Sequence, residues 1–188
     1  RFLVHEEVKA EFTEKLAAKM SALKVGNGMD EGVTIGPLIN QGAAARVHKL
    51  VSTAVAQGAT LSMGGDWQEG NYYPPTLLTD VSPQMDIVGE EIFGPVVTIL
   101  TFKDDAEAIA LANATEYGLA SYFYSQNIRR IHRIADALQF GMVGINEGAI
   151  SNPAAPFGGV KESGYGREGS KYGLDDYSFL QYRCLGGI

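Results

Sequence analysis

The chain has 188 residues, 45% of them hydrophobic and 20% charged, which suits one globular domain with a sizeable core and leaves too little for two full domains. A net charge of -7 without a basic stripe speaks against nucleic acid and anionic membrane as partners, and no apolar run reaches the length of a membrane span. The single cysteine, Cys184, excludes an internal disulfide and favours a cytoplasmic setting, and no His/Cys/Asp cluster has metal-ligand spacing.

The chain opens on the strand-like run Phe2 to Val4, directly after Arg1 and without an initiator Met, so it is expected to be a piece of something longer. Glu6 to Lys24 reads as a helix: Val8, Phe12, Leu16, Met20 and Leu23 form one stripe, and Gly26 follows as a stop. After a turn-rich loop, Asn40 is placed to cap a second helix that runs to Gly58, with Val47, Leu50, Val51 and Ala54 on its buried face. His48 lies beside that face and is expected to be a packing or surface residue. Thr60 to Met63 reads as a strand. Tyr72 to Leu78 reads as an extended segment that Pro74 and Pro75 relegate to a sheet edge.

Val96 to Phe102 is a strong strand pattern. Asp104 and Glu107 then form a capping box for a helix ending near Asn113. Leu119 to Tyr124 reads as a strand. Asn127 to Leu138 reads as a helix with Ile128, Ile131, Ala135 and Leu138 inside and Arg129, Arg130, His132 and Arg133 on its solvated face. Met142 to Ile145 is a short strand. It feeds the irregular stretch Gly144 to Gly169, which is long for a loop in a compact domain and is read as facing substrate. A short helix, Glu168 to Leu174, and a last strand, Tyr177 to Leu185, complete the chain; Cys184 is expected to be buried there. Strand and helix alternate from Val96 onward, which implies a parallel sheet with helices packed on it and ligands at strand ends.

Three stretches could carry chemistry. Glu90-Glu91-Ile92-Phe93-Gly94-Pro95-Val96 holds adjacent carboxylates, of which one at most would serve a site; taken alone it reads as a solvated loop, except that Phe93 beside Gly94-Pro95 calls for something to pack on. Gly164-x-Gly166-x-x-Gly169 matches the dinucleotide-binding pattern but follows a loop and precedes only a short helix, so it is read as a tight turn. In the long loop, Ser151 has no His or Asp arranged with it as a triad and is read as a hydrogen-bond donor, while Phe157 offers an aromatic wall.

The segments EEIFGPV (90–96) and PFGGVKESGYGREG (156–169) resemble the signature segments of the aldehyde dehydrogenase superfamily, and the likeness runs from Phe2 through the last strand. GINEGAIS (144–151) and GREGSKYGLDDY (166–177) resemble the succinate-semialdehyde branch, to which the glutarate-semialdehyde enzymes are very similar. The resemblance implies an α/β fold: a parallel-rich sheet with flanking helices as the catalytic domain, plus a C-terminal oligomerisation strand. Residues 1–166 would be the catalytic portion and 167–188 the oligomerisation portion. It implies NAD or NADP as cofactor, a small semialdehyde as substrate, and a homo-oligomer, dimer or tetramer. In the family a cysteine thiolate attacks the aldehyde, hydride leaves to the cofactor, and a glutamate activates water. By this likeness the nucleophile, that glutamate and the cofactor-binding domain fall upstream of Arg1. No catalytic residue is then expected here, and the chain alone should be inactive. Carried over by position, Glu91 would bond the nicotinamide ribose and Phe93 would pack near the nicotinamide. Ser151 would donate to the distal carboxylate of substrate, and Phe157 would line the substrate tunnel.

Overall fold

A computed structural model describes residues 1–187. It divides into two compact units, residues 1–111 and the described residues from 112 onward. The first unit is built on a four-stranded sheet of β1 (Phe2–His5), β2 (Thr60–Met63), β3 (Thr76–Thr79) and β4 (Val96–Phe102), in the order β1-β4-β3-β2. β4 runs parallel to both β1 and β3, and β2 closes the sheet antiparallel to β3.

Helices cover both faces of this sheet, and the sequence of its central strands says so. Successive strand residues point to opposite faces. Leu78 and Leu100 join one buried cluster with Ala44, Val47, Val51 and Ala54 of α2 (Gln41–Ala56). Leu77 and Ile99 join the other with Met20, and Phe12 and Leu16 of α1 (Lys9–Ser21) pack against it. Every residue of β3 is therefore buried, as in a strand covered on both sides. The edge position expected from Pro74-Pro75 is not found, because the prolines end just before the ladder begins at Thr76, whose N–H donates to the Pro95 carbonyl at 2.8 Å.

Helix starts follow their caps. Asn40 Oδ1 accepts from the Ala43 N–H at 2.8 Å. Asp104 Oδ1 accepts from the Glu107 N–H at 2.9 Å, while Glu107 reaches back to the Lys103 N–H at 2.8 Å. The first expected helix is shorter than its stripe: Glu6–Val8 is a 3-10 turn ahead of α1, and Val8 and Leu23 are exposed. A one-turn helix, α3 (Asp86–Gly89), buries Ile87 and Val88 and was not foreseen. His48 packs its ring 5.3 Å from Trp67 and 6.3 Å from Tyr73, as a packing residue.

The second unit contains β5 (Ala120–Phe123) and β6 (Met142–Ile145), a parallel pair joined through α5 (Ile128–Ala137). α4 (Asp105–Asn113) precedes it. The alternation after Val96 is thus parallel as expected, but β4 and the β5–β6 pair belong to different sheets. Ile128, expected inside, is 63% exposed at the first position of its helix. The expected helix from Glu168 is a 3-10 helix over Tyr172–Tyr177. Residues 178–187 form no ladder with any described residue, so the expected last strand is extended chain only. A strand exists only through a partner. For the same reason Cys184 is exposed and not buried.

Candidate functional site

The candidate residues fall into two groups, one in each unit. The first is the loop from Glu90 to Pro95 between α3 and β4. Arg46 of α2 reaches this loop with three hydrogen bonds. Its Nη2 donates to the Glu91 carbonyl at 2.7 Å and to Glu90 Oε2 at 3.1 Å, and its Nη1 donates to the Ile92 carbonyl at 3.2 Å. Glu90 is thereby paired. The Glu91 carboxylate has no hydrogen-bond or ion-pair partner among the described residues. The two neighbouring acids have separated into one that holds the loop and one that is free to accept from a ligand.

Phe93 follows with φ of 48° and is 79% exposed. A left-handed backbone costs a residue with a Cβ about 1–2 kcal/mol. The chain spends this on turning a large apolar ring outward. Gly94 sits directly on α2: a Cβ there would lie 2.9 Å from Cγ2 of Val47, a stiff and buried side chain. Glycine is required at 94 by close approach. A carboxylate accepts hydroxyl hydrogens and an exposed ring offers a flat face. Glu91 thus offers a free acceptor and Phe93 an exposed flat face on the same loop.

The second group lies on the loop that leaves β6. Its length points to function or disorder, and it is tied to the rest of the chain at several points. Asn146, with φ of 55°, is clamped to Ser125: its Oδ1 accepts from the Ser125 N–H and its Nδ2 donates to the Ser125 carbonyl, both at 2.8 Å. Phe157 and Glu168 exchange backbone bonds of 2.8 and 2.7 Å. Arg167 Nη1 donates to the Gly159 carbonyl at 2.8 Å and to that of Gly166 at 2.6 Å, and the Arg167 N–H donates to Asp176 Oδ2 at 3.2 Å. Lys161 Nζ donates to the carbonyls of Asn113 and Thr115, each at 3.1 Å, where a cation suits the C-terminal end of α4.

Ser151 stands exposed on this tethered loop, and its hydroxyl has no partner among the described residues. Phe157 is 37% exposed and lines an open cleft of about 330 Å³ with Leu119, Ser163, Tyr165, Arg167 and Tyr177. Ser151 does not line that cleft. Gly164, Gly166 and Gly169 all have positive φ, as a turn requires, and the six-residue 3-10 helix beyond them is no platform for phosphate. The tight-turn reading of that glycine pattern stands. No group of three or more His, Cys, Asp or Glu is arranged to hold a metal among the described residues.

Sequence reasoning missed Arg46, Asn146 and Asp176. Asn146 carried a signal, since a lone Asn directly after a strand favours the left-handed region. Arg46 carried none: it precedes the buried stripe of α2 by one residue, and the loop it holds lies 44 to 46 residues away.

Residues 1–182 match the model of the aldehyde dehydrogenase family. A glutarate-semialdehyde dehydrogenase of Pseudomonas putida is 51% identical over 185 residues, 98% of this chain and 38% of that protein. A mitochondrial succinate-semialdehyde dehydrogenase of Mus musculus is 51% identical over 191 residues, all of this chain and 36% of that protein. The crystal structure of an E. coli NADP-dependent enzyme superposes with a TM-score of 0.96 at 49% identity, covering 99% of this chain and 39% of that one. The chain thus spans about two fifths of the length of these relatives.

Proposed function

We propose, for a chain that belongs to the aldehyde dehydrogenase family, that it is part of an enzyme oxidising a short dicarboxylic semialdehyde to the diacid. Succinic semialdehyde is the first choice and glutaric semialdehyde the alternative, since relatives named for each are equally similar at 51% identity. The observation that carries the reading is Ser151: an uncommitted hydroxyl, exposed on a loop that is tethered on either side of it, at Asn146 to Ser125 and at Pro153 to Ser170. Such a hydroxyl would donate to the distal carboxylate of substrate, and Phe157 would wall the substrate tunnel.

NAD or NADP, when bound, supplies the hydride acceptor. In this chain Glu91 would accept hydrogen bonds from the nicotinamide ribose, and Phe93 would pack beside the nicotinamide. The free carboxylate and exposed ring support this assignment, as does the E. coli neighbour's NADP dependence. No catalytic residue is assigned to residues 1–188, and Cys184 is not proposed as a nucleophile; the chain alone is expected to be inactive. Residues 1–166 are proposed as the catalytic portion and 167–188 as the portion that joins subunits of a homo-oligomer. A cytoplasmic setting belongs to the same proposal and rests on cysteine usage alone.

The test is Ser151→Ala in the full-length enzyme. A hydrogen bond to a charged partner is worth roughly 1.5–3 kcal/mol, about a tenfold to hundredfold change. KM for succinic semialdehyde should rise by that factor, while an uncharged aldehyde of similar size is nearly unaffected. Equal losses for both aldehydes would refute the carboxylate role.

A further inference from the structure

We propose that Arg46 is a positioning residue that latches the Glu91–Phe93 loop into its ligand-facing shape. The inference rests on the cofactor reading of Glu91 and Phe93 and adds a cause for their geometry. Three observations meet at this latch. The guanidinium bonds two successive carbonyls, Glu91 and Ile92, and the Glu90 carboxylate. The next residue of the loop, Phe93, holds a left-handed backbone with its ring exposed, so nothing in its own side-chain packing fixes that conformation. The next residue of the helix, Val47, receives Gly94 in close contact.

Consecutive residues of one helix thus grip the loop on both sides of Phe93. Arg46 gives direction, through a planar fork that only a fixed arrangement of acceptors can satisfy. Val47 gives position, through contact with a buried side chain. The division of labour between the acids follows from the same contact. By engaging Glu90, Arg46 leaves the Glu91 carboxylate unpaired, while its bond to the Glu91 carbonyl fixes the backbone from which that carboxylate projects. Without the latch, Phe93 would relax from its strained conformation and carry Glu91 with it.

The experiment uses the full-length enzyme and two readouts. The first is limited proteolysis with a glutamate-specific protease, mapped by mass spectrometry. Cleavage after Glu91 requires the loop to open, and when opening is fast its rate follows the open population. Arg46→Gln should raise that rate about tenfold. Glu90→Gln, which spares the two carbonyl bonds, should raise it less, and Arg46→Lys should fall between wild type and Gln. Cleavage after Glu14, inside α1, reports global unfolding and should not change. An unchanged rate after Glu91 in Arg46→Gln overturns the latch.

The second readout is KM for the dinucleotide against kcat, with Glu91→Gln alongside. Arg46→Gln should raise KM for the dinucleotide several-fold and lower kcat less. If Glu91→Gln raises that KM but Arg46→Gln, with a loosened loop, does not, the positioning role is overturned. If neither variant changes it while the loop loosens, the latch stands and the cofactor role of Glu91 fails.

Discussion

Asn146 is the first residue beyond β6 and combines two properties that few residue types share. It accepts a left-handed backbone, and its amide makes a two-way clamp on Ser125. These can be separated. Asn146→Gly keeps the backbone and loses the clamp, whereas Asn146→Ala loses the clamp and adds the cost of a left-handed Cβ. Chemical denaturation should show Asn146→Gly destabilised by about 1–3 kcal/mol and Asn146→Ala by about 1 kcal/mol more. Equal losses would mean that backbone conformation contributes nothing there. At this scale the sequence was legible where chemistry is local and opaque where it is distant. Adjacency led to the expectation that one at most of Glu90 and Glu91 would serve a site. Which one was free depended on Arg46, placed by the fold and not by spacing. That Gly94 is fixed by Val47 was equally unreadable, since it is a contact between a helix and a loop nearly half a domain apart in sequence.

At the scale of elements, caps and periodicity served well. The Asn40 and Asp104 caps, the β4 pattern and the inner face of α2 all appear where local rules put them. The failures came where an element depends on partners. Two prolines suggested an edge, yet β3 is central because β4 and β2 pair with its two edges. The tail from Tyr177 to Leu185, read as a strand, forms no ladder with any described residue. Between α1 and the sheet one polar tie is open to test. Lys9 at the start of α1 pairs with Asp80 just past β3, and this bond holds the Asp80 carboxyl below its usual value of 3.8. A carboxyl lowered in the folded state contributes stability that is present above 3.8 and lost as pH falls through the lower folded value. Both groups are partly exposed, so the contribution is at most about 1 kcal/mol. Asp80→Asn should be destabilised by up to that amount at neutral pH. The difference from wild type should vanish in strong acid, where Asp80 is protonated. A difference that persists at pH 2 in urea unfolding would assign the loss to packing instead.

At the scale of the molecule, the chain is two compact units, each carrying half of the proposed site residues. The first has a layered core that composition and periodicity announced. The second is more open, and its order comes from backbone and side-chain hydrogen bonds in the long loop, which leave no periodic trace in sequence. Its last ten described residues expose Phe179, Leu180, Tyr182 and Leu185, each more than 80% accessible. Apolar surface of that kind calls for cover. The proposed cover is another subunit. Full-length enzyme truncated after Tyr177 should sediment as a smaller species than wild type, with the unfolding transition of the first unit kept. An unchanged sedimentation coefficient would remove the tail from assembly.

Val47 belongs to two structures at once. It is part of the buried cluster that holds α2 to the sheet, and it is the surface on which Gly94 rests. Binding and folding are therefore reciprocal in the first unit. A ligand that engages the loop through Glu91 and Phe93 adds RT ln(1 + [L]/Kd) to the stability of the folded state. A change at Val47 that removes its contact with Gly94 should therefore act on the core and on the seat of the loop together. Under the proposed role of Glu91 and Phe93, heat resistance and cofactor affinity in this unit would share one contact.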